Sequence, residues 1–217
     1  MGKLKLGVLI SGRGSNLQAL IDACAAPDFP AEIALVLSNK ADALGLERAS
    51  GAGIATAVVS HRDHAGDKAA FEAAMDATLR DAGVELICLA GFMRLLSPWF
   101  VGRWQDRLIN IHPSLLPSFK GLDTHQRALT TGVRFHGCTV HFVRPEMDEG
   151  PIIAQAAVPV LPGDDAARLG QRVLDAEHKL YPHAVRLIAE GRARIDGDLV
   201  RIEGPAPELA AMLNPPF

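Results

Sequence analysis

The chain has 217 residues and 48% hydrophobic composition, enough to bury one sizeable core as a single domain. A formal net charge of −3 and a sequence pI near 6.2 exclude the basic footprint of a nucleic-acid binder and favour small or neutral partners. The first apolar run is too short to span a bilayer and leads into a glycine-rich loop rather than a cleavage site, so neither a membrane segment nor a secretory leader is expected and a cytoplasmic location is.

In chain order, the stretch LGVLI-SGRGSN-LQALIDA reads as a strand, a glycine-rich turn and a helix. That geometry aims unpaired backbone amides and the positive end of a helix dipole at one spot, where an anion such as a phosphate would bind. Gly12, Gly14, Ser15 and Asn16 would supply close backbone approach and side-chain donors. Leu17 replaces the third glycine of GxGxxG and no GK[ST] follows, which disfavours a dinucleotide or a triphosphate. A tight turn in which Ser15 or Asn16 merely caps the helix is the alternative.

Further strands are expected at EIALVLSN, ATAVVS, ELICLAGF, RLINIH, GCTVHFV and IIAQAAVPV. Helical spacing places Phe71, Met75, Leu79 and Ala82 on one face of residues 66–83, and Leu169, Val173, Ala176 and Leu180 on one face of residues 164–191. Asp164 and Asp165 read as the N-cap region of the second helix, and Pro182 should bend or interrupt it. RIDGDLVRIEG reads as a hairpin turning at Asp196-Gly197 or Gly197-Asp198, followed by a proline-rich extension. The alternation predicts an α/β fold: an open, mostly parallel twisted sheet of about seven strands with helices on both faces, in one domain spanning 1–217. Cys24, Cys88 and Cys138 are odd in number and lack a CxxC pair, so they are expected as buried free thiols, not as a disulfide framework or a zinc site.

Asn110 and His112 stand two apart in RLINIHPSLLP and share a strand face, with Ile109 and Ile111 packing oppositely and Pro113 ending the strand. Carboxyl ends of strands in open α/β sheets are where ligands sit. An amide donor for a developing oxyanion and a proton-carrying imidazole are two needs of acyl transfer, although an N-x-H pair can also be a satisfied buried polar pair. Asp148, in HFVRPEMDEGPIIAQ, would orient His112 if the two strand ends adjoin; a solvated turn is the alternative. Ser114 lacks a GxSxG elbow, so no covalent nucleophile is assigned and the substrate is expected to supply the attacking group. His136 and His141 are five apart and face opposite ways, which disfavours a metal cage; His178 and His183 read as packing or surface residues, and Arg13 as exposed.

Taken together, SGRGSNLQALIDA, SNKADALGLERA, LAGFMRLLSP, INIHPSLLPSFKGLDTHQRAL, HGCTVHFV and DEGPIIAQAAVPV resemble the phosphoribosylglycinamide formyltransferase family over about residues 6–190. The resemblance implies metal-free transfer of a formyl group from 10-formyltetrahydrofolate to the amine of glycinamide ribonucleotide, in purine synthesis, by a monomer or weak homodimer. It implies a phosphate-binding half over about residues 1–100, a catalytic and folate-binding half over about 101–190, and a hairpin and tail over 191–217.

Residue by residue, it implies the substrate phosphate at Gly14, Ser15 and Asn16, and the ribose hydroxyls at Glu177 in DAEH. Asn110 would bind the formyl oxyanion, His112 would exchange protons and Asp148 would hold it in place. Met93, Arg94, Leu95 and Leu96 would form the folate pocket with Asn110 and with Arg144, Pro145, Glu146, Met147 and Asp148. Lys68 stands where the family usually has a folate-contacting arginine and would grip a carboxylate less directionally. Asp123 stands where some members carry histidine and receives no role. A methionyl-tRNA formyltransferase would be expected to add a basic domain, and a formyltetrahydrofolate deformylase an N-terminal regulatory domain.

Overall fold

The structure is a computed structural model that describes residues 2–64, 66–204 and 214; the proline-rich extension apart from Asn214 lies outside the described residues. The elements are β1 (Leu4–Ile10), α1 (Ser15–Cys24), β2 (Ala31–Ser38), α2 (Leu44–Gly51), β3 (Thr56–Val58), α3 (Lys68–Asp81), β4 (Leu86–Leu89), α4 (Pro98–Arg103), β5 (Leu108–His112), α5 (Thr124–Thr131), β6 (Phe135–Phe142), β7 (Ile152–Pro159), α6 (Ala166–Ala189), β8 (Ala193–Asp196) and β9 (Leu199–Ile202). The α/β expectation holds.

Seven strands form one sheet in the order β3-β2-β1-β4-β5-β6-β7. β1 to β5 are parallel, whereas β6 and β7 pair antiparallel. The chain winds outward from β1 through β2 to β3, then returns to place β4 on the other side of β1. The order therefore reverses between β1 and β4, and the carboxyl ends of those two strands flank the crevice in which such sheets bind ligands.

Alternation along the strands divides the apolar residues between two cores. Leu6, Val8, Ile10, Ile109 and Ile111 join Leu17 and Leu20 of α1 and Leu169, Val173 and Val185 of α6. Leu9, Ile87, Leu89 and Leu108 join Phe71, Met75 and Leu79 of α3 and Phe100 of α4. Burying each such side chain is worth about 1.5–3 kcal/mol, so covering both faces is what makes the central strands continuously apolar. Tyr181 lies wholly buried on α6, and its hydroxyl donates to the carbonyls of Leu89 in β4 and Ile109 in β5 at 3.0 and 3.4 Å.

The caps follow from the sequence. The Asp67 carboxylate accepts from the Ala70 amide at the start of α3, and the Asp165 carboxylate accepts from the Arg168 amide at the start of α6. Asp164 instead takes two bonds from the Arg172 guanidinium, at 2.8 and 3.0 Å. Of the bend or interruption expected at Pro182, the interruption does not occur: α6 continues through it as one 24-residue helix. Proline removes one backbone donor, to the carbonyl four residues back, while buried Leu180, Tyr181, Ala184 and Val185 hold the helix to the sheet on both sides of that gap. The hairpin turns at Gly197-Asp198, with Gly197 at φ 63°. All three cysteines are free; Cys24 is half-buried, its thiol pushed up to about 11 by burial, and Cys88 and Cys138 are buried.

Candidate active site

β1 ends in the glycine loop, and α1 begins directly after it. Gly14 stands at the N-cap with φ 70° and ψ 36°, and no side chain caps α1. Ser15 and Asn16 are thus the first two helical residues, not caps, and the first-turn amides keep their capacity for an anion. A Cβ on Gly14 would approach the Cα of Gly45 to 2.8 Å, so both the backbone conformation and the close packing on α2 require glycine. Arg13 is exposed.

Asn16 reaches across to α6, where its Nδ2 donates to Glu177 Oε2 at 2.7 Å. The structure thereby unites two of the expected substrate residues from opposite ends of the chain. Burial pushes the Glu177 carboxyl up from its ordinary value, against the opposing effect of the Asn16 amide. Asn16 Oδ1 is buried without a protein partner.

Beside the ends of β4, β5 and β6 lies a cavity of about 420 Å³. Met93, Arg94, Leu95 and Leu96 line one side and Arg144, Pro145, Glu146, Met147 and Asp148 another, with Asn110 and His112 also in the wall. Arg144 points its guanidinium at Asp106, at 2.8 Å. Lys68 is not among the lining residues: it opens α3, half-exposed, with Nζ 4.0 Å from Glu72.

The catalytic candidates are held from several directions. His112 Nδ1 lies 3.4 Å from Asp148 Oδ1, both side chains being nearly buried, and His112 Nε2 donates to the Phe119 carbonyl at 3.1 Å. Asp148 adopts φ 52°, in the left-handed region that aspartate tolerates better than most residues, and its Oδ2 accepts from the Gly121 amide at 2.7 Å. Two residues on, a Cβ at Gly150 would meet the Phe142 carbonyl oxygen at 2.2 Å, so the turn that delivers Asp148 admits only glycine there. The segment after His112 is tied to β6: Thr139 Oγ1 donates to the Ser114 carbonyl at 2.7 Å and accepts from the Leu116 amide at 3.0 Å. Ser114 spends its hydroxyl on the Ser118 carbonyl at 2.6 Å, which agrees with its exclusion as a nucleophile.

The residue that sequence reasoning missed is His141. The antiparallel register sets it directly across from Asn110. Its Nδ1 donates to the Phe142 carbonyl at 3.0 Å, which leaves Nε2 to accept from Asn110 Nδ2 at 3.4 Å. Burial holds its imidazole below the ordinary value, against the raising effect of the Phe142 carbonyl. One amide hydrogen of Asn110 is thereby fixed and the other is left for the cavity. His136, on the opposite face of β6, instead meets Nδ1 of His125 at 3.2 Å through its Nε2. The odd spacing of the two histidines signalled opposite faces, but not which residue lies across from Asn110.

The glycine loop, the cluster of Asn110, His112 and Asp148 and the adjoining cavity suit a group-transfer enzyme, and the comparisons give that class. The family model described as formyl transferase matches residues 4–185. Phosphoribosylglycinamide formyltransferase of Haemophilus influenzae is 45% identical over 93% of this chain and 95% of its own length. The crystal structure of glycinamide ribonucleotide transformylase 1 from Symbiobacterium toebii superposes with a TM-score of 0.89 at 50% identity, covering 92% of this chain and 94% of that one. The trifunctional purine biosynthetic protein adenosine-3 of Gallus gallus is 52% identical over 89% of this chain, which spans only 19% of that relative's length. The chain belongs to the formyl transferase family, among its phosphoribosylglycinamide formyltransferases.

Proposed function

We propose that this enzyme transfers the formyl group of 10-formyltetrahydrofolate to the amine of glycinamide ribonucleotide, in purine biosynthesis and without a metal. The observation that carries the reading is the convergence of Asn110, His112 and Asp148 on one cavity wall. The ribonucleotide phosphate sits on the first turn of α1 at Gly14, Ser15 and Asn16, with the ribose at Glu177. The folate occupies the cavity between Met93–Leu96 and Arg144–Asp148, and Lys68 stands outside its wall, in reach only of a longer folate tail. The substrate amine attacks the formyl carbon, and the carbonyl oxygen gains charge that the free Asn110 amide hydrogen meets. His112 exchanges the proton that leaves the attacking nitrogen and arrives on the departing folate nitrogen, while Asp148 fixes the ring.

The chain works as one domain with the halves described above, in the cytoplasm, as a monomer or weak homodimer. The test is formyl transfer with the ribonucleotide supplied or omitted: folate turnover is expected only when it is supplied, and equal turnover with water alone would replace the transferase reading with a deformylase.

A further inference from the structure

Ser11 lies between β1 and the glycine loop, is 5% exposed and is not itself among the residues that line the cavity. Its hydroxyl accepts from the Met93 amide at 2.8 Å and donates to Asn39 Oδ1 at 2.6 Å. Met93 belongs to the loop after β4, so the first of these bonds crosses the crevice where the strand order reverses. Asn39, 2% exposed and just past β2, has its Nδ2 3.4 Å from His61 Nδ1, in the segment that leads to α3. One hydroxyl therefore joins the loops that follow β1, β2 and β4. No other side-chain bond among the described residues connects the stretch from Ser11 to Asn16 with the 92–96 wall.

We propose that Ser11 is a positioning residue that sets the glycine loop and the Met93–Leu96 wall in register, and with them the two substrates. The inference rests on the proposed function. A near-attack geometry requires the reacting atoms to lie within a few tenths of an ångström of contact distance, and a misplacement of about 1 Å can cost roughly a hundredfold in rate. In this enzyme one substrate is held by each loop, so that distance is set between loops, not within either. Removing the hydroxyl takes its partner from the part-buried Met93 amide and from the buried Asn39 Oδ1, and the 92–96 loop relaxes toward other acceptors.

The test compares Ser11→Ala with Ser11→Thr, which keeps Oγ, and Ser11→Cys, whose sulfur is a weak acceptor. Each variant is measured for kcat, for tetrahydrofolate affinity by calorimetry with and without ribonucleotide, and for its urea midpoint. Ser11→Ala is expected to lose about tenfold or more in kcat and about five- to tenfold in tetrahydrofolate affinity, with ribonucleotide affinity in the absence of folate within about twofold. Ser11→Thr should regain most of both, and Ser11→Cys should fall between. Wild-type kcat and folate affinity in Ser11→Ala would overturn the proposal. So would losses in all three variants that follow the urea midpoint irrespective of the retained acceptor. Absence of ribonucleotide-dependent transfer by the unaltered enzyme would overturn the proposed function alone, since the folate titration reads Ser11 without turnover.

Discussion

Asn110 gives one amide hydrogen to His141 and keeps one for the cavity, and that division has measurable consequences. Asn110→Ala should lower single-turnover formyl transfer by roughly two to three orders of magnitude with smaller changes in binding. His141→Phe should release the amide and cost about tenfold by the same argument. If Asn110 and His112 serve one event, the double alanine variant should lose less than the product of the single losses; strictly multiplicative losses would separate their roles. Gly14→Ala forces a Cβ onto Gly45 at 2.8 Å and holds alanine at φ 70°. It should cost about 1–3 kcal/mol of stability and weaken ribonucleotide binding, measurable by urea unfolding and by titration. At this scale much was readable: N-x-H sharing a strand face was visible from periodicity alone, and the partnership with Asp148 was readable on the condition that the two strand ends adjoin, which the family motifs then implied. His141 escaped because spacing within one strand cannot reveal which neighbour lies across from it; that depends on the antiparallel register between β5 and β6.

Elements differ in how openly the sequence declares them. Most of the seven strands are legible because they are short runs rich in Val, Ile and Leu, and α1, α3 and α6 because their apolar residues recur at helical spacing. α5, THQRALTT, is mostly polar, and α4 is six residues long, so neither has enough periodicity to be read. α4 is positioned by a contact distant in sequence: the carboxylate of Glu72 on α3, 1% exposed, accepts from the Ser97 amide at 2.7 Å and from its hydroxyl. Ser97 in turn caps α4 through the Phe100 amide and directly follows the cavity wall at Leu95 and Leu96. Glu72→Ala should therefore cost about 2–3 kcal/mol in urea unfolding, because buried donors to a charged acceptor lose their partner. Glu72→Gln should cost less, and a Glu72→Ala midpoint equal to wild type would show that α4 is placed by Phe100 and Trp104 packing alone.

For the molecule as a whole, the buried imidazoles couple folding to pH. Burial, reinforced by the neighbouring His125, holds His136 down to about 4 from an ordinary 6.5, and burial also lowers His141. The unfolded chain therefore binds protons that the folded one refuses. The stability His136 contributes is whole above about pH 6.5 and is lost as pH falls from there toward about pH 4, and His141 acts in the same direction. Urea midpoints followed from about pH 7.5 to about pH 4.5 should fall less steeply for His136→Asn than for wild type, and identical slopes would remove His136 from the acid response. Pro182 bears on the same whole in another way. The gap it leaves in the ladder of α6 separates the stretch that carries Glu177 from the stretch that carries Val185, and the two are expected to open separately. Amide exchange should then resolve α6 into two blocks, with ribonucleotide slowing the block up to Tyr181 and leaving residues 183–189 nearly unchanged. A uniform slowing along all 24 residues would instead make the helix one cooperative unit, its proline a seam in sequence only.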